Sequence, residues 1–210
     1  MRRRALAILA VVVGGAVAAA PAAADSRTVR DARGDTRGSH YPGAPYVWSS
    51  AHGCWIAPAY PECGETDYFE DAGPRLDIAS ISHGHSGKLL AHRVTMARNW
   101  RSSLLDAGHR GQISLYFNLD RDAAFERRLD LYLRRGKLAG VMRAGSRRVA
   151  SVAVTRPNAK TVEMRFARTS LGAGRLTYRW FAFAGIACKR KYDRCGDRAP
   201  NAALVAHRLP

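Results

Sequence analysis

The stretch "QISLYFNLD" (residues 112–120) decides the fold class. Its apolar residues Ile113, Leu115, Phe117 and Leu119 alternate with Gln112, Ser114, Tyr116, Asn118 and Asp120. A period of two belongs to a strand with one face buried. "RRLDLYLR" (127–134) repeats the pattern, with Leu129, Leu131 and Leu133 against Arg128, Asp130, Tyr132 and Arg134. "TVEMRFAR" (161–168) turns Val162, Met164 and Phe166 inward and Glu163 and Arg165 outward. "RLTYRWFAFAGI" (175–186) is aromatic on both faces, as suits a central strand covered on both sides. Further strands are expected in "RLDIASIS" (75–82), "KLLAHRVTMA" (88–97), "KLAGVMRA" (137–144) and "RRVASVAV" (147–154). Turn material separates them at "HGHSG" (83–87), "RRGK" (134–137), "RAGSR" (143–147) and "RPNAK" (156–160).

Eight or more short strands with no persuasive helix between them predict an all-β chain, an antiparallel two-sheet β-sandwich with solvated outer faces. A parallel α/β fold would need helical crossovers, which the pattern lacks. The start of the chain reads as a signal peptide, residues 1–24. Arg2, Arg3 and Arg4 precede a short apolar run, and "PAAAD" supplies a small-residue cleavage site before Asp25. A retained signal-anchor is the competing reading. Residues 25–210 then form a single exported domain with no further apolar stretch long enough to span a membrane. Four cysteines fit an oxidising compartment. Cys54 with Cys63 and Cys188 with Cys195 is the favoured pairing, each closing one local loop, against two other connectivities and a zinc reading that the spacing does not suit.

Charge is unevenly laid out. Three of the 34 Lys and Arg lie in the leader, leaving 31 against 17 acids, a surplus of 14. Residues 38–74 contain no Lys or Arg but five acids (Glu62, Glu65, Asp67, Glu70 and Asp71), so the rest of the exported chain has a surplus of 19. Such a basic surface favours anionic partners: cell-envelope polymer, anionic lipid or nucleic acid, although no dedicated nucleic-acid motif is present. The same segment holds seven of the 18 aromatic residues and five of the nine prolines. It reads as a long, disulfide-pinned insertion after the first strand.

"ISHGHSGK" (81–88) raises the question of a metal site. A hairpin turning at His85–Ser86 places His83 opposite Lys88 and His92 opposite Ala79, about 13 Å apart along the strand and too far to share an ion. "HGHSG" is then a turn with His85 facing water. His92 becomes a hydrogen-bonded core histidine beside Leu90, Val94 and Met96. Asn118, Asp120 and Asp122 have the one-three-five spacing of an EF-hand loop, but Ala123 and Leu129 replace its required glycine and glutamate. Arg121, Arg127 and Arg128 are placed to neutralise those acids. A structural calcium ion drawn from several loops is the alternative kept; no other cofactor is expected.

No G-x-S-x-G, H-E-x-x-H or P-loop occurs, and no free thiol is expected, so no catalytic residue is assigned and the chain is read as a non-enzyme. An extracellular hydrolase built on two carboxylates distant in sequence is the least favoured reading. The aromatic insertion is the better candidate. Tyr46, Trp48, Trp55 and Tyr60 could stack on sugar faces while nearby acids accept hydroxyl hydrogen bonds, or they could form a small satellite core. "CKRKYDRC" (188–195) is the second candidate: Lys189, Arg190 and Lys191 crowded into one loop suit an anionic partner. The expected function is a secreted protein, associated with the cell wall in one reading, that binds carbohydrate or anionic cell-envelope polymer without catalysis.

"DARGD" (31–35), "LDIASISH" (76–83), "ISLYFNLD" (113–120), "SLGAGRLTYRW" (170–180) and "DRAPN" (197–201) together resemble the DOMON-like β-sandwiches, relatives of the family-nine carbohydrate-binding modules. The resemblance spans nearly all of the exported chain. It implies a two-sheet sandwich that binds ligands without catalysis, with sugars or haem as ligand classes. Asp31, Asp35 and Asp77 match acids that recur in the family, in turn capping or ion binding. The 38–74 insertion and the basic 188–195 loop depart from the pattern, and no Met and His pair suited to haem is placed together by the strand reading.

Overall fold

The computed structural model describes residues 27–39, 47–49, 54–57, 60–63, 68–70, 76–86, 89–106, 111–122, 124–172, 177–186, 194–201 and 204–208. Six short strands come first: β1 (Arg27–Arg30), β2 (Arg37–Ser39), β3 (Val47–Ser49), β4 (Cys54–Ala57), β5 (Tyr60–Cys63) and β6 (Tyr68–Glu70). Every strand expected from the alternation follows. These are β7 (Ile78–Ser86), β8 (Leu89–Met96), β9 (Gln112–Asn118), β10 (Arg127–Arg134), β11 (Lys137–Ala144), β12 (Arg147–Thr155), β13 (Thr161–Ala167) and β14 (Thr177–Ile186). β15 (Arg194–Ala199) and β16 (Val205–Arg208) close the chain. Among the described residues the helical elements are two single 3₁₀ turns, Ser102–Leu105 and Arg168–Leu171.

All pairings are antiparallel, and thirteen strands join into one strongly curled sheet. Its path runs β1, β7, β8, β13, β12, β11, β10, β9, β14, β15, β2, β6, with β16 paired to the other end of β14's outer edge. The curl is made at β12. Its residues 147–152 pair with β11, while Ala153, Val154 and Thr155 pair with β13. One strand thus serves two limbs of the sheet, as corner strands do. The limb containing β7, β8 and β13 folds over the limb containing β9, β10 and β14. Between them lie Ile81, Val94, Val162 and Met164 from one limb and Leu115, Phe117, Leu129 and Trp180 from the other, all wholly or almost wholly buried. Truncating one such side chain, Phe117→Ala for example, would cost about 3–5 kcal/mol.

β8 follows the expected alternation, with Leu90, His92, Val94 and Met96 inside. β9 corrects the expectation of a solvated outer face, for Ser114, Tyr116 and Asn118 are buried as well. That face is covered by a second aromatic layer. Tyr116 and Phe181 stack 4.8 Å apart, Phe125 meets both edge-on, and the Arg198 guanidinium lies 4.3 Å over Phe181.

Residues 38–74, expected as a long insertion after the first strand, contribute short strands of their own among the described residues. β2 and β6 extend the main sheet beyond β15, and β3, β4 and β5 form a separate three-stranded sheet. "HGHSG" is not a turn either. β7 continues through Ser86, which pairs with Leu89, and His83 stands directly opposite His92. The physical reason is burial. This register sets Ile81 against Val94 and His83 against His92 on the inner face, and a bulge between Ile78 and Ser80 absorbs the offset.

Candidate functional site

The residues expected to bind ligand are only partly within the described residues. Tyr46, Lys189, Arg190, Lys191 and Cys188 lie outside them, as do residues 1–24. Trp48 and Trp55 are direct cross-strand partners in the β3–β4 hairpin, so the register puts the two tryptophans at one position of one face. Tyr60 pairs with Ala57 beyond a bulge. Cys63 pairs with Ile56, two residues from Cys54, and Cys195 is buried in β15. Among the described residues no cysteine is free.

The histidines meet after all, in a hydrogen-bonded and stacked cluster. His83, His92 and His207 are buried together between the limbs, contributed by β7, β8 and β16. The Tyr178 hydroxyl bridges His92 Nε2 at 3.0 Å and His207 Nδ1 at 2.6 Å, while Trp180 Nε1 donates to His83 Nδ1 at 3.0 Å. His207 stacks on His83 with ring centroids 3.9 Å apart. Nδ1 of His92 has no hydrogen-bond partner. A bare lone pair costs less there than a bare N–H, so Nε2 of His92 carries the proton and donates to Tyr178, which donates to His207. Burial, with His83 and His207 beside it, holds His92 well below the usual imidazole range and keeps it neutral. His92 is therefore the hydrogen-bonded core histidine the sequence suggested. His85 is a half-buried strand residue opposite Leu90 rather than a water-facing turn residue. Met164 and His92 are cross-strand neighbours, contrary to expectation. They do not face each other across a gap for haem, because Phe117, Phe166, Tyr178 and Trp180 enclose the imidazole.

A second polar cluster lies where the two limbs meet at the chain's first turn. The loop 31–36 leaves β1, which pairs with β7, and enters β2, which pairs with β15. It therefore crosses from one limb to the other. Asp31 and Asp35 stand in this loop, Asp77 immediately precedes β7, and Asp197 is in β15. Gly34, at φ +77°, takes the left-handed conformation that turns its N–H onto Asp77 Oδ2 at 3.0 Å. Ile78 N–H donates to Asp197 Oδ2 at 2.6 Å, and the Asn201 amide donates to Asp35 Oδ2. One carboxylate oxygen from each of Asp31, Asp35 and Asp197 lies within 4.8 Å of the other two. Burial raises Asp31 to about 6, with Asp35 and Asp77 adding to the effect. Burial likewise raises Asp197 to about 7, with Asp35, Asp31 and Asp77 adding to it. Asp31, Asp35 and Asp77 were singled out in the family resemblance, and Asp197 opens its "DRAPN" motif without being singled out; His207 carried no signal that local pattern could separate from an ordinary strand end.

The EF-hand-like loop uses its acids locally. Asp120 accepts from Asp122 N–H, Asp122 from Ala124 N–H and Glu126 from Leu119 N–H, while Asn118 ties the loop to the carbonyl of Ala124. Two of the three arginines expected to neutralise it point elsewhere: Arg127 to the carbonyls of Glu126 and Ser170, Arg128 to Asp130. A row of arginines crosses β10, β11 and β12, where Arg128 faces Arg143 and Arg143 faces Arg148. Asp130 pairs with the first two only. Among the described residues no helix is long and apolar enough to cross a membrane. Compared with known proteins, the chain matches no family model and no curated protein.

Proposed function

We propose that the chain is a secreted, non-catalytic binding module that takes carbohydrate or cell-envelope polymer on its small β3–β5 sheet. The observation that carries this reading is the register pairing of Trp48 with Trp55 on a sheet separate from the main one. Two tryptophans at one register position of a short sheet suit stacking against a sugar face. Tyr46 and Tyr60 flank it in sequence, and the acids of residues 38–74 supply acceptors for hydroxyls. The two limbs stand for the two sheets of a DOMON-like sandwich. Disulfides 54–63 and 188–195 pin the platform and the basic loop, and the basic, apolar leader directs export. Replacing both Trp48 and Trp55 by Ala should abolish retention on neutral glycan while leaving the far-UV circular dichroism unchanged. Retention by that folded variant would contradict the reading.

A second reading is favoured by the arginine row. Like charges directly opposite one another in a sheet are destabilising, and one aspartate offsets only part of that cost. Arg128, Arg143 and Arg148 suit an anionic polymer, as does the Lys189, Arg190 and Lys191 run by its sequence alone. Binding through them weakens steeply between low and physiological salt.

A further inference from the structure

We propose that Asp31, Asp35, Asp77 and Asp197 form a divalent-cation site, calcium being the ion it suits, which ties the two limbs of the curled sheet together. Two independent features converge on it. The first is the donor set. Three carboxylate oxygens within 4.8 Å of one another fit inside the coordination sphere of calcium, whose oxygen ligands stand about 2.3–2.6 Å from the ion. The four aspartates come from three pieces of chain, the 31–36 loop, the approach to β7 and β15, an irregular arrangement that calcium accepts and magnesium, with its stricter octahedron, does not.

The second feature is what the buried oxygens lack. Asp77 and Asp197 are each only 3% exposed. In each, one oxygen is held by a backbone N–H and the other is buried with no hydrogen-bond partner. Asp31 Oδ2 and Asp35 Oδ1 are buried and unpartnered in the same way, as is the Thr36 hydroxyl in the same loop. Among the described residues no Lys or Arg forms an ion pair with any of the four aspartates. Buried carboxylates are ordinarily hydrogen-bonded, paired or metal-bound. Here the backbone bonds fix one side of Asp77 and Asp197 and leave the other side free for an ion. The Asp120, Asp122 and Glu126 group has the same proximity, but Asp120 and Asp122 are exposed with oxygens held by their own loop, and its one buried unpartnered oxygen, Glu126 Oε1, belongs to a half-buried residue.

The ion would act as a staple. The loop 31–36 and the Asp197–Ile78 bond both cross between limbs, and a cation would lock that crossing. The test uses the exported chain (residues 25–210), stripped with EDTA and titrated with calcium or magnesium chloride at pH 7.5 by calorimetry and thermal unfolding. The expected result is one saturable calcium site, with a Tm about 5–10 °C higher at a hundredfold excess over Kd, reversed by EDTA. Asp197→Asn retains an acceptor for Ile78 N–H and should stay folded while losing at least tenfold in calcium affinity. Asp35→Asn provides a second variant should the first not fold. Asp122→Asn should leave the response intact. No saturable calcium binding in the wild-type chain would overturn the proposal, as would a response that survives Asp197→Asn and Asp35→Asn but disappears in Asp122→Asn.

Discussion

Tyr178→Phe is the sharpest test of how the two limbs are joined at the core. The substitution removes one oxygen atom, leaves the buried apolar area unchanged and takes away the hydroxyl that bridges His92 Nε2 and His207 Nδ1. Each buried hydrogen bond contributes about 1 kcal/mol net, and a polar group left without its partner in the interior costs about 1–3 kcal/mol. His92 is fully buried and already has one bare nitrogen, so no water reaches it to compensate. The expected loss is about 2–4 kcal/mol in urea unfolding at pH 7.5. The dependence on denaturant should be unchanged, because the surface exposed on unfolding is the same. A loss below about 0.5 kcal/mol, with the histidines still buried, would refute the reasoning that the hydroxyl organises the limb contact.

Three further outcomes follow from other parts of the fold. In the folded protein the His92 imidazole should remain neutral through pH 6.5, so its ring resonance should not titrate there. As pH falls below the unfolded value near 6.5, that neutrality costs stability, and an NMR midpoint between 6 and 7 would contradict the buried geometry. Asp197 presents the opposite sign: its folded value of about 7 lies above the unfolded 3.8, so its penalty is absent in acid and fully present above pH 7. In EDTA, Asp197→Asn should therefore gain on the wild-type chain between pH 4 and pH 7.5, by about 2–4 kcal/mol at 1.36 kcal/mol per pH unit, and a constant difference would contradict the raised value. Gly196→Ala should destabilise by about 1–3 kcal/mol in the same unfolding assay, because a Cβ there would stand 2.7 Å from the Phe183 ring and 3.0 Å from the Ala184 carbonyl; a neutral effect would mean the ring moves freely.

The strands were legible because their apolar residues alternate. Ile113, Leu115 and Phe117, or Val162, Met164 and Phe166, have one sensible inward face, and the structure uses it. The register of β7 on β8 was not legible. Glycines at 84 and 87 allow more than one turn, and the choice between them is made by the inner-face partners of His83 and His92 and by a bulge. The buried outer face of β9 was hidden because its cover is tertiary: Phe125 folds back from the following loop onto Tyr116, Phe181 of β14 stacks beside it, and Arg198 of β15 lies over Phe181. The aspartate cluster is the extreme case. Its hydrogen bonds join residues 43, 119 and 166 positions apart, so no spacing could announce it, and only the family resemblance marked three of its four acids. The paired tryptophans lay between these cases: the residues were evident, but their position opposite each other needed the β3–β4 register.

The first measurement to make is co-sedimentation of residues 25–210, prepared under oxidising conditions, with insoluble glycans and purified cell walls, at low and high salt. Binding on the β3–β5 sheet predicts retention on a neutral glycan that persists at high salt and disappears when Trp48 and Trp55 are both replaced by Ala. Retention confined to low salt, indifferent to those tryptophans and lost when Arg128, Arg143 and Arg148 are neutralised, would contradict it and move the function to the basic face.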